Sequence, residues 1–151
     1  MHEIVLQDLG IRPYKQVWAY QEELLQRKIK AKQSNESVPD YLLFVEHPPV
    51  YTLGKNGKEN NLLINEHELT KKGIEYYHIN RGGDITFHGP DQLVGYPILD
   101  LGNYKTDLGW YLRSLEEVVI LTMREYDLQG ERSPGETGVW LEYADRPFPR
   151  E

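Results

Sequence analysis

The densest run of chemistry-bearing residues is Arg81-Gly82-Gly83-Asp84-Ile85-Thr86-Phe87-His88, followed by Gly89-Pro90-Asp91-Gln92-Leu93-Val94-Gly95-Tyr96-Pro97. Adjacent glycines permit backbone geometry that a Cβ forbids and let a ligand approach main-chain N–H groups. Thr86 and His88 lie two apart on a predicted strand, so both project from one face. Gly89-Pro90 then turns the chain. Bare amides beside Arg81, Thr86 and His88 suit a carbonyl, carboxylate or phosphate oxygen. A Gly-Gly hairpin with a structural histidine fits the same residues, so a ligand site and a plain turn both remain open.

The elements that must position this run alternate between strand and helix. Glu3–Asp8 reads as a strand. Pro13–Ala31 reads as a helix with Tyr14, Val17, Trp18, Leu24 and Leu25 on one apolar face. Tyr41–Val45 is a continuous apolar run, expected of a strand buried on both faces. Val50–Leu53 is extended, and the Gly54–Asn61 loop follows. Asn65–Lys72 is a short helix with an Asn65/Glu68 capping box and Gly73 as terminator. Strands are expected at Glu75–Asn80, Ile85–Phe87, Leu93–Leu101 and Gly138–Leu141. Leu108–Tyr126 is the strongest helix, with a stripe running from Leu108 through Leu112, Leu115 and Val119 to Met123. The glutamates Glu22, Glu23, Glu116 and Glu117 read as solvent faces.

Composition narrows the classes. The chain has 151 residues, with 17 Lys+Arg against 24 Asp+Glu for a net charge of −7, and no cysteine. One domain with a real core is expected at this length. An acidic chain is a poor match for a phosphate backbone, so no nucleic-acid partner is expected. The missing cysteines exclude, within these residues, a disulfide framework, a thiolate zinc site and a cysteine nucleophile. The histidines show no metal-ligand spacing, and no metal is expected. His47, before Pro48, reads as a strand-end residue. No signal peptide or membrane span is expected, which predicts a cytoplasmic protein. Gly54-Lys55-Asn56-Gly57-Lys58 lacks phosphate-loop spacing and reads as a solvated loop, with lysines able to meet an acidic carrier.

As a whole string, residues 81–97 resemble the signature of the lipoyl(octanoyl) transferase family, Arg-Gly-Gly-x-x-Thr-(Tyr/Phe)-His-Gly-Pro-Gly-Gln-Leu-Val-Gly-Tyr-Pro. Three further segments are similar in order: Glu46-His47-Pro48-Pro49-Val50-Tyr51-Thr52-Leu53-Gly54, Pro97-Ile98-Leu99-Asp100-Leu101 and Gly135-Glu136-Thr137-Gly138-Val139-Trp140. The resemblance implies an α/β (α+β) fold of the biotin/lipoate protein ligase type, a mixed sheet with flanking helices. It implies an acyltransferase that moves an octanoyl group from acyl carrier protein to a lipoyl-domain lysine, without metal or soluble cofactor. Carried over residue by residue, it assigns substrate binding to Arg81, Gly82, Gly83, Asp84, Ile85, Thr86, Phe87 and His88, with Phe87 and nearby aliphatics available to line an acyl tunnel.

The resemblance breaks in two places. The family's catalytic Cys and Lys lie in segments later than Gly-Val-Trp, and this chain has no Cys and no Lys after Lys105. No catalytic residue is carried over. Residues 1–141 are therefore expected to be the N-terminal part of a catalytic domain, incomplete at its C-terminus and inactive alone, with 142–151 a polar tail. The expected strand Gly138–Leu141, so near the last residue, supports the same reading. The second departure is Asp91, where the family has Gly; a positive φ there is tolerated better by Asp than by most residues. Two rivals stand beside transfer: an ATP-dependent lipoate or biotin ligase of the same fold, and a non-catalytic acyl- or carrier-binding module.

Overall fold

The structure, a computed structural model, describes residues 3–142. Of the expected polar tail 142–151, residues 143–151 lie outside the described residues. The chain divides into two compact units, Met1–Asp100 and Leu101–Glu151. Among the described residues no helix is long and apolar enough to cross a membrane.

The first unit holds two three-stranded mixed sheets. In one, β1 (Ile4–Ile11) runs parallel to the central β2 (Asp40–Glu46), which pairs antiparallel with β6 (Val94–Ile98). In the other, the central β3 (Val50–Leu53) runs parallel to β4 (Glu75–His78) and antiparallel to β5 (Ile85–His88). Expected strands therefore appear where the apolar runs lie, with shifted ends. β1 extends past Asp8 through an irregularity where Gly10 sits at φ 60° and donates its amide to Asp8 Oδ1 at 2.9 Å. The single strand expected over Leu93–Leu101 stops at Ile98, and a 3₁₀ turn occupies Leu101–Asn103. Pro97 is accommodated because β6 is an edge strand.

β2 corrects one expectation. Tyr41, Leu43 and Val45 are buried, whereas Leu42 and Phe44 are only half-buried. Continuous hydrophobicity here accompanies one well-covered face, not two. The covering element is α1 (Tyr14–Gln33), whose Leu24 packs on Tyr41 and Leu43.

α1 starts after Pro13, whose carbonyl accepts from Gln16 and Val17. Its buried stripe is Tyr14, Val17, Leu24, Lys28 and Ala31, while the expected core residue Leu25 is 44% exposed. The helix is rotated because Lys28 turns inward: its Nζ donates to Pro39 O at 3.0 Å and pairs with the buried Asp40 carboxylate. The same carboxylate accepts the Asp100 amide at 2.9 Å. A buried pair of this kind contributes little net stability against an apolar substitute, yet leaving one charge alone costs about 3–5 kcal/mol. It fixes the rotation of α1 rather than adding to the core.

α2 (Glu66–Lys72) forms as the sequence predicts. Asn65 Oδ1 accepts from Glu68 N at 2.9 Å, the reciprocal bond completes the capping box, and Gly73 closes the helix at φ 64°.

The second unit contains α3 (Leu108–Arg124), capped by Asp107 Oδ1 accepting from Trp110 N at 2.9 Å, and a two-stranded ribbon of β7 (Gly130–Glu131) and β8 (Trp140–Leu141). The expected core strand Gly138–Leu141 is thus a short ribbon strand. The expected apolar stripe is not the buried one: Leu108 is 72% exposed, and Ile120 and Glu116 are buried instead. Glu116 was expected to face solvent. It accepts the Gly138 amide at 2.9 Å and pairs with Arg113 at 2.6 Å and Arg132 at 3.2 Å, so the helix turns its glutamate toward the ribbon.

The Gly138 amide, aided by the guanidinium groups of Arg113 and Arg132 and opposed by burial, holds the Glu116 carboxyl below its usual range. A carboxyl depressed on folding stabilises above its unfolded pKa, and that stability is lost as pH falls through the folded value. Denaturant unfolding of the chain and of Glu116→Gln is therefore expected to show a clear gap at pH 7 that narrows below pH 4.5, the ordinary value for this group. A pH-independent gap would contradict the assignment.

Candidate functional site

The Arg81-Gly82-Gly83 turn joins β4 to β5 and is fixed from three sides. Arg81 turns back into the protein. Its Nη2 reaches Thr52 O at 2.8 Å, Asp84 O at 2.8 Å and Thr86 Oγ1 at 2.7 Å, while Nη1 donates to Gly82 O at 2.9 Å. Thr52 is fully buried on β3, so the guanidinium bolts the turn to the central strand. Backbone bonds add Gly54 N to Asp84 O at 3.2 Å and Lys55 N to Arg81 O at 3.0 Å. Asp84 accepts from Ile85 N at 2.8 Å and from the Asn61 side chain.

Gly54 is what permits this approach. A Cβ there would lie 2.4 Å from Gly83 O and 3.0 Å from the carbonyls of Arg81 and Gly82. Gly83 itself sits at φ 84°, the left-handed region that favours glycine. Among the described residues the amides of Gly82 and Gly83 donate to no group, and both residues are exposed. The turn presents two unused donors on a rigid backbone.

Thr86 and His88 share a face of β5, as the two-residue spacing predicts. His88 stacks on Tyr14 of α1 at 6.2 Å with planes 13° apart, and its Nδ1 meets Gln92 Oε1 at 2.7 Å. Gln92 and Asp91 lie in the turn before β6. Asp91 adopts φ 65° and donates its amide to Glu46 Oε2 at 3.1 Å, so aspartate carries the left-handed geometry at this position. Phe87 corrects an expectation. Strand alternation puts it on the opposite face from Thr86 and His88, against Tyr51 at 5.0 Å and half-exposed. Ile85 shares that face by the same alternation.

His47 is the residue that spacing alone understated. It is buried, and both ring nitrogens are engaged. Arg12 O lies 2.8 Å from Nδ1 and can only accept, so Nδ1 carries the proton and Nε2 accepts from Tyr96 OH at 3.0 Å. Burial, opposed by the Arg12 carbonyl, pushes its pKa down, and burial pushes Tyr96 up. The pair stays neutral near pH 7. Together with Tyr14, 5.3 Å from His47 and 5.5 Å from Tyr77, it forms an aromatic wall behind His88. The Glu-His-Pro-Pro run was the available signal: a histidine next to a buried strand needs partners for both nitrogens.

A cavity of about 520 Å³ opens beside this wall between α1 and β6. Trp18 and Leu25 line it from the helix, Ile98 and Leu99 from the strand side, and Arg81 and Tyr96 also contribute. Its size falls within the range of small-molecule sites.

Residues 13–146 match the model of the lipoyl protein ligase A/B catalytic domain. An octanoyltransferase of Christiangramia forsetii is 56% identical over 98% of this chain and 65% of its own length. One of Flavobacterium johnsoniae is 61% identical over 92% of this chain and 62% of its own. The chain thus spans under two thirds of the length of these curated relatives. Among solved structures, a bi-partite lipoate protein ligase of Thermoplasma acidophilum, studied with its E2 lipoyl domain, superposes with a TM-score of 0.62 at 18% identity, covering 95% of this chain and 53% of that one. A lipoate-protein ligase A bound with ATP gives 0.56 at 14% identity, covering 90% and 51%. At these identities the structural likeness speaks to fold alone, and it bears out the α/β ligase-type architecture.

Proposed function

We propose octanoyl transfer as the activity of the whole protein, because this chain belongs to the lipoyl protein ligase A/B catalytic domain family and its curated relatives are octanoyltransferases. The group travels from the thiol of an acyl carrier protein to the lysine of a lipoyl domain. Within this reading the Arg81-Gly82-Gly83 turn, with Asp84, Thr86 and His88, holds the acyl head, while Ile85 and Phe87 lie on the other face of β5. The observation that carries it is the pair of unused amides at Gly82 and Gly83 on a turn bolted by Arg81. Donors fixed before the reaction stabilise a thioester oxygen as it becomes an oxyanion, with no reorganisation at that moment.

Arg81 acts here through the turn, because its guanidinium is spent on Thr52, Asp84 and Thr86. Thr86 and Asp84 are its partners and hold the geometry. His88, fixed through Nδ1 by Gln92 and packed on Tyr14, is set beside the head group. The chemical steps need a nucleophile and a base. By the family pattern an enzyme cysteine thiolate attacks the octanoyl carbonyl, the C–S bond to the carrier breaks, and the departing carrier thiolate takes up a proton from the enzyme lysine. The lysine amine of the lipoyl domain then takes the acyl group and restores the thiolate. Neither the cysteine nor the lysine of that pattern lies in this chain, so these residues bind and orient.

The ligase alternative has weaker support. Relatives at 56% and 61% identity are transferases, whereas the ligase likenesses stand at 18% and 14%. A chimera of this chain with the remaining residues of the Christiangramia forsetii relative separates the readings. It is expected to octanoylate a lipoyl domain from octanoyl-carrier protein without ATP, read by intact mass, while the chain alone transfers nothing. Pyrophosphate release from ATP and octanoate, or a folded but inert chimera, would contradict transfer.

A further inference from the structure

His47 opens the His47-Pro48-Pro49 link, which joins β2, the centre of one sheet, to β3, the centre of the other. Among the described residues no ladder joins these two sheets. The parallel pairing of β1 with β2 runs on to Arg12, whose amide donates to Glu46 O at 3.0 Å. The next ladder bond would bring an amide of residue 48 to Arg12 O, and Pro48 has no amide hydrogen. The His47 side chain supplies the missing donor, with Nδ1 2.8 Å from Arg12 O.

That bond decides what the rest of the ring can do. The one proton of a neutral imidazole is spent on the β1 end, so a bare Nε2 faces Tyr96 OH of β6 at 3.0 Å. The ring edge meets Tyr14 of α1 at 5.3 Å and His88 of β5 at 6.0 Å. Arg12 and Tyr96 belong to the first sheet and its end, whereas His88 belongs to the sheet that carries the glycine turn. One buried side chain therefore ties the two sheets together behind the head-group position. A charge on it would be buried and would oppose one on His88, with Glu75 of β4 the carboxylate acting in its favour.

On the strength of the octanoyl-transfer reading above, we propose that His47 is a positioning residue of the acyl-thioester site: as a neutral ring with its proton on Nδ1, it links Tyr96 to His88 and sets where His88 stands beside the head group. Pro48 makes the side-chain bond necessary, and the bond in turn fixes the tautomer. Tyr96 contributes through its hydroxyl, which has no acceptor on His47 if the tautomer is reversed.

The test combines calorimetry of S-octanoyl pantetheine binding to the full chain with ¹⁵N spectra of its imidazoles at pH 7. His47 is expected to show a protonated Nδ1 and a bare Nε2. Tyr96→Phe, which removes one hydroxyl, is expected to shift the His88 ring signals and to weaken binding about fivefold. His47→Asn places an amide near the Nδ1 position and keeps a donor for Arg12 O, but it cuts the link to Tyr96. In that background Tyr96→Phe is expected to cost less than about twofold, because the two changes break one connection. His47→Gln, whose amide oxygen can reach toward Tyr96, should recover part of the lost affinity; Tyr96→Phe alone carries the test if the His47 variants do not fold. Additive losses, unmoved His88 signals or a proton on Nε2 overturn the role of His47 and leave octanoyl transfer standing. No binding of S-octanoyl pantetheine by the unaltered chain overturns both.

Discussion

Gly54→Ala is expected to abolish binding of an acyl thioester while leaving most of the first unit folded. The new methyl would stand 2.4 Å from Gly83 O and 3.0 Å from the carbonyls of Arg81 and Gly82. These are backbone atoms, so no side chain can rotate away. Either β3 or the turn must move, and the turn is the part with exposed residues on its outer side. Overpacking of this kind costs about 1–3 kcal/mol in stability. The functional cost is larger, because a displacement of about 1 Å in a positioned donor costs on the order of a hundredfold. Equilibrium denaturation and binding of S-octanoyl pantetheine measure the two effects separately. Wild-type affinity in a folded Gly54→Ala chain would show that the close approach of turn and strand is irrelevant to binding.

Arg81→Lys is expected to fail almost as badly, although it keeps the charge. The guanidinium reaches Thr52 O, Thr52 Oγ1, Asp84 O, Thr86 Oγ1 and Gly82 O at once through a planar fork. An ammonium is a compact charge and cannot span that set. Thr52 is fully buried, so its hydroxyl loses its charged donor where water cannot replace it. A loss of about 3 kcal/mol in stability is expected from one or two such bonds. Binding should fall with it, since the turn loses the bolt that holds Gly82 and Gly83. A shift confined to binding, with unchanged stability, would instead mean that Arg81 contacts the ligand directly.

The parts of the fold legible from sequence are those decided by local rules. The Asn65/Glu68 box and Gly73 announce α2 because capping is a matter of a few adjacent residues. Thr86 and His88 share a face because alternation along a strand is fixed by geometry. What sequence could not give is rotation. Periodicity marks an apolar stripe on α1 and on α3, but in both helices a buried charged residue decides which side faces in: Lys28 with Asp40, Glu116 with Arg113 and Arg132. The Lys28–Asp40 and Glu116–Arg132 pairings are long-range, and no helical period records them; only Arg113–Glu116 is an i,i+3 pair within the helix. The same holds at the site. The glycines announced a turn with spare amides, yet that Arg81 points inward to Thr52 depends on a strand far away in sequence. Phe87 was assigned with its neighbours by the resemblance, whereas strand alternation puts it on the face opposite Thr86 and His88.

The central claim is that the Gly82 and Gly83 amides receive the acyl oxygen. An ¹H–¹⁵N spectrum of the full chain titrated with S-octanoyl pantetheine tests it residue by residue. The account predicts that these two amide signals move furthest and saturate together at one ligand concentration. If both glycine signals stay in place while ligand binding perturbs others, the head group is held elsewhere and the account is wrong.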